Sequence, residues 1–134
     1  MQTAIAMSQV YGKEGMGDAV PFSAAEAWGP KVLAPLLATP FVPRTLVNVN
    51  FPAVAPDAVK GIQVVRQGFH DYSRGSIVKG TDPRGYDYFW FGLHGVEHTS
   101  GHDTDLEVVD DGFISVTPLQ LDLTHRESLE ALRS

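Results

Sequence analysis

The first residues of the chain constrain its fold most, because they form an apolar run with the length of a β-strand. The run covers residues 3–8, TAIAMS. Short uninterrupted apolar runs are typical of strands that are buried on both faces of a sheet. We therefore expect a domain whose first element is a buried strand with no turn or cap before it. Such a start is typical of a segment of a longer protein. An ordinary first strand is the alternative.

A helix is expected after a glycine-containing loop. Ser23 and Glu26 have the spacing of a capping box, in which the serine accepts an amide N–H and the glutamate reaches back to the cap. Pro30 and Pro35 disturb the pattern, because each removes an amide donor and crowds the preceding turn. The sequence predicts a kinked or broken helix that ends near Thr39. Its apolar stripe comprises Trp28, Val32, Leu33, Leu36 and Leu37.

Later segments add strands and two short helices. Apolar and alternating patterns predict strands at residues 46–51, 61–66 and 113–119. A short helix is predicted at residues 105–111, with Thr104 as N-cap and Gly112 just beyond its end. The amphipathic tail, residues 124–134, forms the last helix, with Leu129 and Leu132 on its apolar side.

A β-hairpin is predicted between these elements. Residues 82–85, DPRG, have turn chemistry, and residues 86–92 form a strongly aromatic strand, whereas residues 69–79 resemble a loop or irregular edge. The element order indicates an α/β core that carries a β extension. We divide the chain into the end of a core (1–52), a β-rich extension with the hairpin (53–102), and a return strand with the C-terminal helix (103–134).

Composition excludes several classes of protein. Hydrophobic residues make up 43% and charged residues 19% of the chain, as in soluble globular domains. A net charge of −6 with scattered basic residues argues against a nucleic-acid partner. The lack of cysteine rules out disulfides and a cysteine nucleophile, and suits the cytoplasm. No signal peptide or membrane-spanning segment is recognisable.

Three histidines form the first candidate site. His94, His98 and His102 are spaced by four residues and would align on one helical face as metal ligands. Gly95 and Gly101 argue against a stable helix, so a polar loop with solvated histidines is the preferred interpretation.

Asp103 and Asp105 form the second candidate, as a general acid/base pair. Together with Thr104 they also suit the start of the following helix, where negative charge meets the positive end of the helix dipole. We favour capping over catalysis.

The aromatic strand forms the third candidate. Its rings could stack on nucleic-acid bases, but no basic residues accompany them. Consecutive rings face both sides of a strand, so some lie in water unless a partner covers them. We therefore predict a subunit interface. It comprises Tyr86, Tyr88, Phe89, Trp90 and Phe91.

Four stretches resemble the SurE family of 5′/3′-nucleotidases. They are residues 47–52 (VNVNFP), 61–68 (GIQVVRQG), 82–85 (DPRG) with the strand after it, and 104–124 (TDLEVVDDGFISVTPLQLDLT). The last is the most specific. The resemblance implies the C-terminal portion of a Rossmann-like fold, with a projecting β-hairpin and a C-terminal helix.

The resemblance also implies an activity. Such enzymes are metal-dependent phosphatases of nucleoside monophosphates, with Mn²⁺ or Mg²⁺ held by an N-terminal Asn-Asp-Asp-Gly motif. That motif is not found here. Asp110-Asp111-Gly112 resembles part of it, but these residues lie within the stretch 104–124, which matches a different segment of the family. Thr104 and Asp105 match the family's Thr-Asp pair at the rim of the catalytic cleft, and Asp103 stands where many relatives have glycine. Residues 83–92 match the hairpin implied in subunit contacts.

Three functional hypotheses follow. The first is a nucleotidase of the SurE type whose metal ligands lie outside this chain, so that the chain alone is inactive. Its partner would be an N-terminal half or further copies of itself. The second is a non-catalytic oligomerisation module, and the third, ranked last, is a metalloprotein that uses the histidine loop.

Overall fold

A computed structural model describes residues 4–10, 22–69, 76–92 and 103–134. The strands in these ranges are β1 (Ala4–Gln9), β2 (Thr45–Phe51), β3 (Ile62–Val64), β4 (Ser76–Thr81), β5 (Asp87–Gly92) and β6 (Ile114–Gln120). The α-helices are α1 (Ser23–Ala38), α2 (Asp105–Asp110) and α3 (Arg126–Arg133). A short 3₁₀ turn covers Pro56–Ala58.

Four strands form one mixed sheet in the order β1-β2-β6-β3. Strand β1 runs parallel to β2, β2 is antiparallel to β6, and β6 is parallel to β3. Strands β4 and β5 pair with each other in a separate two-stranded sheet.

One face of the mixed sheet carries the hydrophobic core. Side chains alternate between the faces of a strand, so Val47, Val49 and Phe51 share one side of β2. Val49 pairs with Val116 of β6, which extends the same side, and α1 covers it with Ala24 and other apolar residues. The core cluster consists of Ala24, Val32, Val47, Val49, Phe51, Val59, Ile114 and Val116.

The opposite face is polar. Asn48 of β2 pairs with Thr117 of β6, and Asn50 pairs with Ser115. Ser115 is 0% exposed and Thr117 is 1% exposed, and helix α2 contacts both strands. The polar alternation of β2 therefore produces a second, partly covered face, and not a surface open to water.

Helix α1 begins without the predicted capping box. Its N-cap is Phe22, and no side chain at the N-cap position hydrogen-bonds the first turn. The side-chain oxygen of Gln9, at the end of β1, instead accepts from the Ala25 amide at 3.0 Å. The prediction for Ser23 and Glu26 is wrong, because a residue distant in sequence supplies the acceptor for a first-turn amide.

Helix α1 also continues through both prolines to Ala38. The predicted end is confirmed, but the predicted break is wrong. Pro30 and Pro35 are exposed, as are Glu26 and Lys31, whose carbonyls lose their helical donors. Water can hydrate those carbonyls, so the loss does not interrupt the helix.

Strand β1 differs from its expectation as well. Ala4, Ala6, Met7 and Ser8 are exposed, and the strand pairs with β2 alone among the described residues. The prediction of burial on both faces is wrong for the described part of the chain.

The hairpin has one more strand than predicted. Residues 76–79, which the sequence placed in a loop, belong to β4 and pair with β5. The turn is as predicted: the Gly85 amide donates to the Asp82 carbonyl at 2.9 Å, and Gly85 has a φ of 90°. Positive φ favours glycine at this position.

The remaining elements follow the sequence closely. Helix α2 has Thr104 as N-cap, and Gly112 follows its C-cap with a φ of 89°. Helix α3 buries no residue, and Leu132 is 86% exposed. Among the described residues, no helix combines the length and apolar character that a membrane crossing requires.

Candidate functional site

The start of α2 is held by its own first turn. The Glu107 carboxylate accepts from the Thr104 amide at 3.1 Å and from the Thr104 hydroxyl at 3.2 Å. The reciprocal contact of a capping box is therefore present at this helix. Capping, the interpretation favoured from sequence, is confirmed for Thr104.

Asp105 connects this helix to the loop that follows β3. Its carboxylate oxygen Oδ1 accepts from the Gly68 amide at 2.6 Å, and its own amide donates to the Arg66 carbonyl at 3.0 Å. Asp105 is only 9% exposed, so water screens the charged hydrogen bond little. The two bonds clamp the loop at residues 66–68 against α2.

Gly68 fits this clamp because it has no side chain. A Cβ atom at this position would lie 2.8 Å from Cδ1 of Leu106 and 3.1 Å from Oδ1 of Asp105. These distances are shorter than ordinary van der Waals contact, so any larger residue forces Leu106 or the loop to move.

Asp103 lies in a different environment from Asp105. It is exposed and has a φ of 50°, in the left-handed region that favours glycine. The structure therefore gives a conformational role to the position where the resemblance places glycine in many relatives. The Asp105 carboxylate is buried and hydrogen-bonded, whereas Asp103 is exposed.

Replacing Asp103 by valine is expected to lower the free energy of unfolding by about 1–2 kcal/mol, because a β-branched residue is strained at positive φ. Replacing it by glycine should change stability by less than about 1 kcal/mol, since relief of strain offsets the added chain entropy. Urea denaturation of both variants measures the difference. Equal stability of the two would contradict the assigned backbone strain.

A cleft of about 330 Å³ lies beside Asp105. We call it the amide cleft. Its polar lining residues are Asn48, Asn50, Gln67, Gly68, Asp105 and Asp110. Its apolar lining residues are Val10, Leu106 and Val109. It brings together the end of β1, the polar side of β2, the loop after β3 and one side of α2.

Two carboxamides in the cleft have unused hydrogen-bonding capacity. In the described part of the chain, the side chains of Asn48 and Gln67 make no hydrogen bond to protein, whereas Asn50 donates to the Ser115 hydroxyl at 3.4 Å. Asp105 and Asp110 supply negative charge, and no lysine or arginine is among the described lining residues. The cleft thus offers hydrogen-bond donors and acceptors to a ligand.

The other sequence candidates lie elsewhere or outside the description. The predicted interface residues Tyr86, Tyr88, Phe89, Trp90 and Phe91 are 45–78% exposed on the hairpin and do not line the cleft. The histidine loop, with His94, His98 and His102, lies outside the described residues. Within the described ranges, no group of three or more His, Cys, Asp or Glu side chains could hold a metal ion.

Sequence reasoning missed most of the cleft. Asn48 and Asn50 alternate with Val47, Val49 and Phe51, which was a signal that one side of β2 is polar. Gln67 and Gly68 gave no comparable signal, because a Gln-Gly pair in a loop is common and its contact with α2 is tertiary.

Known proteins resemble this chain along almost its whole length. The family model described as "Survival protein SurE" matches residues 1–74. A protein of Erythrobacter litoralis named 5'-nucleotidase SurE is 55% identical over 129 residues, covering 96% of this chain and 50% of that protein. A protein of the same name from Rhizorhabdus wittichii is 55% identical over 128 residues, again 96% and 50%. The chain spans about half the length of these curated relatives.

A solved structure also resembles the fold. The crystal structure of the SurE protein from Aquifex aeolicus matches with a TM-score of 0.71 and 29% identity, covering 96% of this chain and 50% of that chain. This likeness confirms the predicted α/β class with a β-hairpin and a C-terminal helix.

Proposed function

Because the chain belongs to the SurE family of survival proteins, we propose that it is the C-terminal portion of a metal-dependent 5′/3′-nucleotidase. The reaction is hydrolysis of the phosphate ester of a nucleoside monophosphate. One observation carries the proposal: relatives named 5'-nucleotidase SurE are 55% identical to it over 96% of its length.

Asp105 acts in this proposal as a positioning residue at the rim of the cleft. It holds the Gly68 amide at 2.6 Å, which fixes the loop that borders the cleft. Thr104 begins the helix that presents Asp105, and Asp103 adopts a positive φ immediately before it. None of the three is assigned a chemical step.

The divalent ion, Mn²⁺ or Mg²⁺, does not fit the described residues. Hard cations take several oxygen ligands, usually including carboxylates. In the cleft, Oδ1 of Asp105 is engaged by Gly68, and Asp110 is the only other carboxylate among the described lining residues. The ligands of the ion are therefore not found among the described residues, and in this proposal they lie in the N-terminal half that the family resemblance implies. When bound, such an ion polarises the phosphoryl group and lowers the pKa of the attacking water.

A chimera tests the proposal. The purified chain alone, with added manganese or magnesium, is expected to show no hydrolysis of adenosine 5′-monophosphate. A chimera in which this chain replaces the matching half of the Erythrobacter litoralis relative should hydrolyse adenosine 5′-monophosphate when the metal is present. The unaltered relative is the positive control. A folded but inactive chimera would contradict the nucleotidase proposal, and turnover by the chain alone would contradict the placement of the metal ligands.

The hairpin favours a second, compatible role in assembly. Strand pairing places Phe89 and Phe91 on one face and Tyr88 and Trp90 on the other. All four rings are at least 45% exposed. Apolar surface on both faces of a two-stranded ribbon favours partners on both sides. We propose that the hairpin joins copies of this chain, or this chain and an N-terminal half.

Replacing Trp90 by lysine is expected to weaken self-association about tenfold or more, because a buried aromatic ring at an interface contributes over about 1.4 kcal/mol. Phe91→Lys should have a similar effect through the opposite face. Light scattering across a concentration series measures both.

Arg84→Lys is the control substitution in the hairpin. Arg84 is exposed in the turn, and this change should leave self-association unchanged. Wild-type association by both variants would remove the hairpin from the interface.

Two further expectations stay predictions from composition. They are a location in the cytoplasm and the absence of a nucleic-acid partner, and both rest on the cysteine-free, acidic sequence.

A further inference from the structure

Helix α3 begins at a histidine that acts as its N-cap. Nδ1 of His125 lies 3.2 Å from the Ser128 amide nitrogen and accepts its hydrogen bond. The same Nδ1 atom lies 2.8 Å from the Ser128 hydroxyl oxygen. The usual N-cap residues are asparagine, aspartate, serine and threonine, whose side-chain oxygens accept from the first turn. Here an imidazole nitrogen takes that role, and it can accept only while it carries no proton.

Helix α3 receives little support from the rest of the described fold. It has eight residues, Arg126–Arg133, and buries none of them. Isolated helices shorter than about 12–15 residues are only marginally stable in water. In the described part of the chain, the hydrogen bonds and the ion pair of residues 122–134 all lie within that segment. The stability of α3 therefore depends strongly on its own caps.

Protonation of His125 removes the acceptor of this cap. Imidazole is the side chain that ordinarily changes its charge between about pH 5 and 8. A protonated Nδ1 atom is a donor, so the Ser128 amide loses its partner, whereas the Ser128 hydroxyl can turn and accept instead. The imidazolium also places positive charge at the positive end of the helix dipole, which is unfavourable. The stabilisation of α3 by its cap is therefore present where the ring is neutral and is lost as the pH falls.

The charged groups next to His125 belong to its own segment. They are Asp122, Arg126 and Glu127. Asp122 and Arg126 form an ion pair at 2.7 Å, and no described charged group of another element forms an ion pair with this segment. Hydrogen bonds from the side chain and the amide of Thr124 hold the pKa of Asp122 below its ordinary value. Asp122 therefore stays ionised between about pH 5 and 8. Nearby carboxylates lessen the cost of a positive ring, so the loss of the amide's acceptor is the larger effect.

We propose that His125 makes the folding of α3 depend on pH: the helix is ordered while the ring is neutral and frays when the ring is protonated. This conformational switch goes beyond the proposed nucleotidase function and requires neither substrate nor metal. It changes an apolar surface, because Leu129 and Leu132 lie on one side of the segment only while α3 is helical. Leu132 is 86% exposed, so fraying of α3 alters the surface and leaves the core cluster intact.

Nuclear magnetic resonance of the ¹⁵N,¹³C-labelled full chain between about pH 5 and 8 tests the proposal. The Cα shifts of residues 126–133 report the helical population, and the Ser128 amide shift reports its hydrogen bond. As the pH falls, the ratio of helical to unfolded α3 should fall about fivefold, which corresponds to about 1 kcal/mol for the loss of an N-cap. The core strand β2 should keep its shifts, because α3 buries no residue.

Substitutions at position 125 isolate the effect of the cap from general effects of acid. His125→Asn supplies a side-chain oxygen that accepts and does not titrate, so α3 should stay helical over the whole range. His125→Ala removes the acceptor, so α3 should have a low helical population at every pH. The chain has five histidines, and both variants keep the others, so titration elsewhere is common to all three proteins.

Three results would overturn the proposal. The first is an equal helical population of wild-type α3 at both ends of the pH range. The second is a loss of helix in His125→Asn with the same pH dependence as in the wild type, which would assign the effect to another group. The third is a His125→Ala variant that is as helical as the wild type at neutral pH. His125 is exposed, so each variant should fold, and a thermal melt followed by circular dichroism checks this.

Discussion

Replacing Phe51 by alanine is expected to lower the free energy of unfolding by about 3–5 kcal/mol, the usual cost of deleting a buried phenyl ring. Phe51 is 0% exposed and lies in the core cluster under α1. The variant loses the burial of the ring and leaves a cavity that the close-packed neighbours fill only partly. Since small domains are stabilised by only about 5–15 kcal/mol, much of the population should unfold.

Urea denaturation followed by circular dichroism measures this effect. Phe69→Ala is the matched control, because Phe69 is 86% exposed and its loss should change stability by less than about 0.5 kcal/mol. A loss below about 1 kcal/mol for Phe51→Ala would show that the apolar face of the sheet does not form the core.

Replacing Asp105 by alanine is expected to lower the free energy of unfolding by about 2–3 kcal/mol. The change removes a charge-assisted hydrogen bond and leaves the Gly68 amide without its acceptor. The loop at residues 66–68 should also open more often. Amide hydrogen exchange should therefore quicken at Gly68 by more than it does in the core strand β2.

Two further variants distinguish the effect of the Asp105–Gly68 hydrogen bond on stability from the effect of removing a negative charge. Asp105→Asn keeps an oxygen for Gly68 and should retain part of the stability. Glu127→Ala removes a charge from the first turn of α3, where the side chain is exposed, and should cost less than about 1 kcal/mol. If Asp105→Ala costs no more than Glu127→Ala, the bond to Gly68 does not hold the loop.

Local patterns predicted most of the elements, because they depend on neighbouring residues. Alternation predicted β2, and Thr104 and Gly112 marked both ends of α2. The Asp82–Gly85 turn was read correctly from its composition. Where a distant residue intervened, the prediction failed: Gln9 replaced the expected cap of α1, and β4 formed because β5 paired with it.

The candidate site was predicted only in part. Asp105 was singled out by its place at the start of a helix, and Thr104 by its capping chemistry. The contact of Asp105 with Gly68 joins residues 37 positions apart, and no local pattern contains such a separation. The amide cleft likewise depends on the pairing of β2 with β6, which turns Asn48 and Asn50 toward α2.

By itself the sequence determined the α/β class, the hairpin turn, the ends of α2 and the resemblance to the SurE family, since propensities, caps and motifs are properties of short segments. The tertiary structure alone decided which oxygen caps α1, which faces of the sheet are apolar and polar, and where the Asp105 carboxylate is engaged. Those features depend on burial and on hydrogen bonds between distant residues, and their energies exist only when the packed sheet and helices exclude water.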